Sequence, residues 1–115
     1  MKFRRESCVT VFALLIALAA GPALAEEAAS EELDGATLYA TKTCIACHGI
    51  DAKTPILPVY PKLAGQNADY AYQQMQDIKS GARNNGNTAA MSGIMHLVSD
   101  AEMRILADYI AGLAP

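Results

Sequence analysis

Apolar residues recur at helical spacing in three stretches of this 115-residue chain. The first opens near Asp34, a good N-cap type, and runs through Leu38 and Tyr39 toward Cys44. The second runs from Asn67 or Asp69 to Ser80, with Ala71, Met75 and Ile78 on one face and Gly81 placed to end it. The third starts at Ser99, where Ser99 and Glu102 have capping-box spacing and Val98 and Met103 can form a hydrophobic staple. Its stripe is Leu106, Tyr109, Ile110 and Leu113, with Gly112 near the stop. Gly49 to Pro61 carries Pro55, Pro58 and Pro61 and cannot be regular helix. Arg83 to Ala90 reads as a polar, Gly/Asn-rich loop. No window alternates with period two. The pattern predicts an all-α domain of three to four helices whose long loops wrap something.

The amino-terminal end has a different pattern. Val9 to Ala20 is an unbroken run of 12 mostly apolar residues behind Lys2, Arg4 and Arg5, ending at Gly21-Pro22 and the A-x-A triplet Ala23-Leu24-Ala25. A positive start, a short apolar middle and a small-x-small end make a secretory signal. The run is shorter than the roughly 18–20 residues that cross a bilayer. Cys8 precedes it, so it is not placed for lipid modification at the cleavage point. The expected organisation is a cleaved signal at 1–25, an acidic leader at 26–33 and one folded domain at 34–115, exported to the periplasm with no membrane span after cleavage.

Composition sharpens this once the signal is set aside. The whole chain carries nine Lys+Arg and 12 Asp+Glu, a net charge of −3. Residues 26–115 carry six against 11, or −5. That balance speaks against nucleic-acid binding, which needs a basic stripe to displace counterions. It favours partners with basic docking surfaces and a salt-sensitive encounter. Phe3 and Phe12 leave with the signal, so five tyrosines are the only aromatics of a thin core.

Two cysteines remain, in the run Cys44-Ile45-Ala46-Cys47-His48. C-x-x-C-H is the attachment signature of c-type haem. Two thiols within one helical turn can each add across a haem vinyl group, and the adjacent histidine then presents its imidazole to the iron. A thioredoxin-like pair needs a βαβ context that is missing here. Zinc needs four ligands, and adjacent Cys47 and His48 share one metal poorly. A Cys44–Cys47 disulfide would close a small strained loop. One covalent haem c is the cofactor the motif predicts.

From Gly35 to Leu113 the chain resembles the class I c-type cytochromes, most nearly the small bacterial His/Met monohaem domains and single halves of dihaem bacterial cytochromes c. The residues that carry the resemblance are Gly35-x-x-x-Tyr39, the CIACHG run of 44–49, PKLAGQ at 61–66, Met91-Ser92-Gly93, and Leu97 to Asp100 followed by Leu106 to Ile110. The resemblance implies a cytochrome c fold. It implies that the Pro61 carbonyl accepts a hydrogen bond from the His48 ring, and that Gly35 and Tyr39 cross Leu106 and Tyr109. It also implies that a tyrosine hydrogen-bonds a haem propionate.

Four methionines follow His48. Met75 and Met103 sit at core spacing. Met91 follows the 83–90 loop and matches the family's distal ligand, nine residues before Asp100. Met95, four residues on, is the runner-up, and His96 would give bis-histidine ligation. Methionine ligation raises the potential and leaves no open iron site. The expectation is therefore a one-electron carrier and not an enzyme. It would shuttle between a donor dehydrogenase or quinol-oxidising complex and a terminal acceptor, as a monomer or within a redox complex. The alternatives are a haem subunit of a periplasmic dehydrogenase such as a flavocytochrome, and a five-coordinate sensor or peroxidase.

Overall fold

The structure, a computed structural model, describes residues 33–115. The expected signal at 1–25 and nearly all of the acidic leader lie outside the described residues. Five helices follow one another: α1 (Gly35–Thr41), α2 (Cys44–His48), α3 (Ala68–Ser80), α4 (Thr88–Met95) and α5 (Asp100–Gly112). There is no strand among the described residues. No described helix is long and apolar enough to cross a membrane.

The caps form where the side chains allow them. The Asp34 carboxylate accepts from the N–H groups of Ala36 and Thr37, Asn67 caps α3 through Tyr70, and Gly81 ends α3 in the left-handed conformation at φ 82°. Ser99 and Glu102 form the reciprocal capping box that starts α5. Each such cap is worth about 1 kcal/mol.

Two local expectations are corrected. The first helical stretch does not run on to Cys44, because Thr43 adopts a left-handed φ of 65° and breaks it into α1 and α2. The 83–90 loop is shorter than its composition suggests: Thr88, Ala89 and Ala90 are already helical. Helix α4 has no side-chain N-cap hydrogen bond, and the Thr88 hydroxyl instead donates to the carbonyl of Asn85. Its helical stripe is only Thr88, Met91, Ile94 and Met95, interrupted by small residues. Eight residues with that little periodicity are hidden by the Asn and Gly that precede them.

Helix α5 is the centre of the fold. It packs against α1 on one side and α3 on the other, while α2 packs on α1 and α4 packs on α3. Leu106, Ala107 and Met103 are almost fully buried there, with Leu38 and Tyr39 from α1 and Met75 and Ile78 from α3. Burying one such Leu or Met contributes roughly 1.5–3 kcal/mol. Two lysines fasten the α4–α5 connection to the rest. Lys42 Nζ donates to the Leu97 carbonyl at 2.8 Å and pairs with Glu102 at 3.1 Å, and Lys79 Nζ donates to the Val98 carbonyl at 2.5 Å.

Candidate functional site

Helices α2 and α4 do not pack against each other. Between them lies a cavity of about 480 Å³, a size that suits an organic group rather than a few waters. Cys44, Cys47 and His48 line it from α2, Met75 and Ile78 from α3, Met91, Ile94 and Met95 from α4, and Leu106 and Ile110 from α5. Cys44, Cys47 and His48 on one side and Met91 on the other, far apart in sequence, thus face one space.

His48 is buried, and its Nδ1 lies 2.9 Å from the carbonyl oxygen of Pro61. A carbonyl can only accept, so Nδ1 carries the proton and donates. In the neutral ring Nε2 then holds the lone pair that a metal needs. The loop that delivers Pro61 is folded back by the Ile56 N–H to the Cys47 carbonyl at 3.1 Å, and by Leu63 and Ala64 to the Ala52 carbonyl at 2.8 and 3.1 Å. Gly49, at φ 82°, starts that loop where a Cβ would come 2.2 Å from the Thr54 carbonyl oxygen. The Tyr39 hydroxyl donates to the Gly49 carbonyl at 2.9 Å, and burial raises the Tyr39 pKa well above the ordinary range of a phenol. Both cysteines are half-buried free thiols, and burial pushes the Cys44 thiol up. Among the described residues no three His, Cys, Asp or Glu side chains converge as a metal cluster would require.

The other sequence candidates separate by position. Met95 lines the cavity but is 1% exposed and belongs to the core, whereas Met91 is only partly buried. Met75 also lines the cavity, although its spacing suggests simple packing, and Met103 does not reach it. His96 is exposed, away from the cavity, with Nδ1 2.7 Å from the Ser92 carbonyl. Tyr39, Tyr60 and Tyr70 border the cavity, while Tyr72 and Tyr109 do not. Sequence reasoning missed Arg83 and Lys62 on the wall. Nothing in their local pattern marks them out, since both look like solvated surface cations.

A cavity walled by apolar side chains, with a pair of thiols and a properly tautomerised histidine at one side, fits a covalently held haem. The cytochrome c family model matches residues 33–114. The chain belongs to the cytochrome c family. It is 32% identical to cytochrome c-553 of Nitratidesulfovibrio vulgaris over 91% of this chain and 96% of that protein. It is 43% identical to cytochrome c4 of Pseudomonas aeruginosa over 59% of this chain and 32% of that longer protein. A protein named thiosulfate dehydrogenase electron acceptor, from Stutzerimonas stutzeri, is 35% identical over 68% of this chain and 38% of its own length. The chain is therefore a small bacterial class I cytochrome c, an electron-transfer protein with redox partners. Family membership implies covalently bound haem c, and Cys44, Cys47 and His48 fit its attachment motif.

Proposed function

We propose that this cytochrome c carries one electron at a time through a single haem with His48 and Met91 as axial ligands, working as an exported periplasmic shuttle. The observation that carries the reading is the Pro61–His48 hydrogen bond at 2.9 Å, which orients the ring and leaves Nε2 as the lone-pair nitrogen on a cavity wall that Met91 shares from α4. Cys44 and Cys47 hold the haem by thioether bonds. When bound, the haem supplies a reversible ferric/ferrous couple. The chain's part is to exclude water with Ile78, Ile94, Leu106 and Ile110, to fix the proximal ring through Pro61, and to present a thioether from the first turns of α4.

Burial selects among the methionines. Met95 is already committed to the core beside Val98 and Met103, so its removal costs packing. Met91 has free surface facing the cavity and can turn its sulfur without emptying the core. With both axial positions taken, no site remains for a substrate, which supports a carrier over a sensor or peroxidase. The donor is an exported dehydrogenase or quinol-oxidising complex and the acceptor a terminal redox protein. The relative named as an electron acceptor of thiosulfate dehydrogenase supports a donor of the dehydrogenase kind.

The test is the absorption spectrum of the exported protein with Met91→Ala and Met95→Ala. The wild type should show covalent haem and a weak far-red sulfur-to-iron band. Met91→Ala should abolish that band and open the reduced protein to carbon monoxide. Met95→Ala should keep the band and lose about 2–5 kcal/mol of stability. A band that survives Met91→Ala overturns the ligand assignment.

A further inference from the structure

The connection between α3 and α4 holds a reactive pair that neither the haem-attachment motif nor the axial ligands use. Asn85-Gly86 sits there in an exposed turn. An asparagine side-chain amide is open to attack by the next backbone nitrogen, and a following glycine favours it because no Cβ crowds the approach. The space is clear: nothing lies within 4 Å of where a Cβ on Gly86 would sit. Among the described residues, neither the Asn85 carboxamide nor the Gly86 N–H has a hydrogen-bond partner. Electrophile and nucleophile are adjacent, solvated and uncommitted.

The chain's other candidates are placed less well. Asn67 accepts from the Tyr70 N–H at 2.9 Å as the cap of α3. Asn87 precedes Thr88, whose β-branched side chain crowds the attack and whose N–H donates to the Asn85 carbonyl at 3.2 Å. Asn84 precedes Asn85 rather than a glycine. Asp34-Gly35 has the right spacing, but the Asp34 carboxylate accepts from Ala36 and Thr37, and Gly35 is packed against Tyr109.

Asn85 also has something to release. Its carbonyl accepts from both the hydroxyl and the N–H of Thr88, the first residue of α4, and that helix has no side-chain N-cap hydrogen bond. Asn85 lines the cavity as well, and the lining includes no aspartate or glutamate. We propose that Asn85-Gly86 is a self-modification site needing only water, whose isoaspartate product unfastens the start of α4 and gives the cavity wall a carboxylate. The Gly86 nitrogen bonds to Asn85 Cγ, the Cγ–Nδ2 bond breaks, and ammonia leaves with the proton of the Gly86 N–H, closing a cyclic imide. Water then opens one of the two new C–N links, its hydroxyl going to carbon and its hydrogen to nitrogen. Opening at Cγ gives an aspartate on the original chain path. Opening at the main-chain carbonyl gives isoaspartate: the chain now runs through Cγ, one methylene longer, and the carbonyl that held Thr88 becomes a free carboxylate. No electron is transferred on either route, and the step stands apart from the ligand assignment.

The experiment ages the purified exported protein in mildly alkaline buffer and maps its peptides by mass spectrometry. An acid in place of the amide should appear at Asn85 before it appears at Asn67, Asn84 or Asn87. Labelling by an isoaspartate-specific methyltransferase should locate to the same peptide, and Asn85→Gln should abolish it. Anion exchange separates the modified fraction by its added negative charge. Its α4 amides should exchange with deuterated water roughly two- to tenfold faster, as loss of one hydrogen bond requires, with α3 and α5 unchanged. Asn85→Asp carries the charge on the original chain path and should leave α4 within about twofold of the wild type. Conversion no faster at Asn85 than at Asn84 or Asn87, or a label that survives Asn85→Gln, would overturn the site. Equal α4 exchange in modified and unmodified protein, or the same loss in Asn85→Asp, would overturn the unfastening of α4 by the rerouted chain. The site itself is decided on wild-type peptides, so it stays testable if a variant does not fold.

Discussion

Gly35 lies against Tyr109 so closely that a methyl group on it would sit 2.3 Å from the tyrosine Cβ and 3.2 Å from the Ile105 carbonyl oxygen. This is where α1 crosses α5. The approach brings the Tyr39 and Tyr109 rings to 5.7 Å between centroids, tilted by 50°. The crossing also anchors the Cys44–His48 turn, because α2 packs on α1 alone among the helices.

Gly35→Ala is accordingly expected to destabilise the protein by about 1–3 kcal/mol or more through overpacking. Gly93→Ala is its control. Gly93 lies inside α4 with nothing within 4 Å of where an added methyl would sit, so alanine there should stabilise the helix by roughly 0.5–1 kcal/mol. Denaturant unfolding of both variants checks the pair, and equal effects would mean the crossing does not need a glycine.

Acid should loosen the domain from its caps. Asp34 is held below the usual carboxylate range by the Thr37 hydroxyl and the Ala36 N–H, and Asp51 by the N–H groups of Lys53 and Thr54. Glu102 is held low chiefly by the Ser99 N–H and then by Lys42. A folded pKa below the unfolded value gives stability that is complete above the unfolded value and is lost as pH falls through the folded one. Urea midpoints should therefore be level above about pH 5 and fall below about pH 4. Asp34→Asn with Glu102→Gln keeps the capping atoms but removes the charges, and should flatten that decline. An unchanged slope would place acid sensitivity elsewhere.

Salt dependence should follow the leader more than the domain. Residues 33–115 carry six basic and seven acidic side chains, a net −1, while Glu26, Glu27, Glu31 and Glu32 add four negative charges. Changing those four to glutamine should flatten the ionic-strength dependence of electron transfer with a basic partner and leave the potential unmoved. Stopped-flow rates across salt concentrations read this directly. Undiminished dependence would assign the steering to the domain's own carboxylates.

Much of the molecule was legible along the chain because its signals are local. Caps declare themselves within four residues, as Asp34, Asn67 and Ser99 do, and the long stripes of α3 and α5 announce their buried faces. The C-x-x-C-H run needs only one turn of helix to bring two thiols and an imidazole together, so its chemistry could be read before any fold. Helix α4 was not legible in full, since its periodicity is short and its neighbours have turn composition.

By itself the sequence determined the helical class, the C-x-x-C-H run that fits the family's haem-attachment motif and the polar, proline-broken connections, each of which depends on neighbours a few positions away. Only the tertiary structure decided that α2 and α4 stand apart across one cavity, that Met95 is packed away while Met91 keeps free surface, and that Lys62 and Arg83 share an acid-free wall. Lys62 and Arg83 are 21 positions apart, and His48 and Met91 are 43 apart. Their positions come from how α1 and α3 settle on α5, a matter of side-chain volume and close packing that no local pattern encodes.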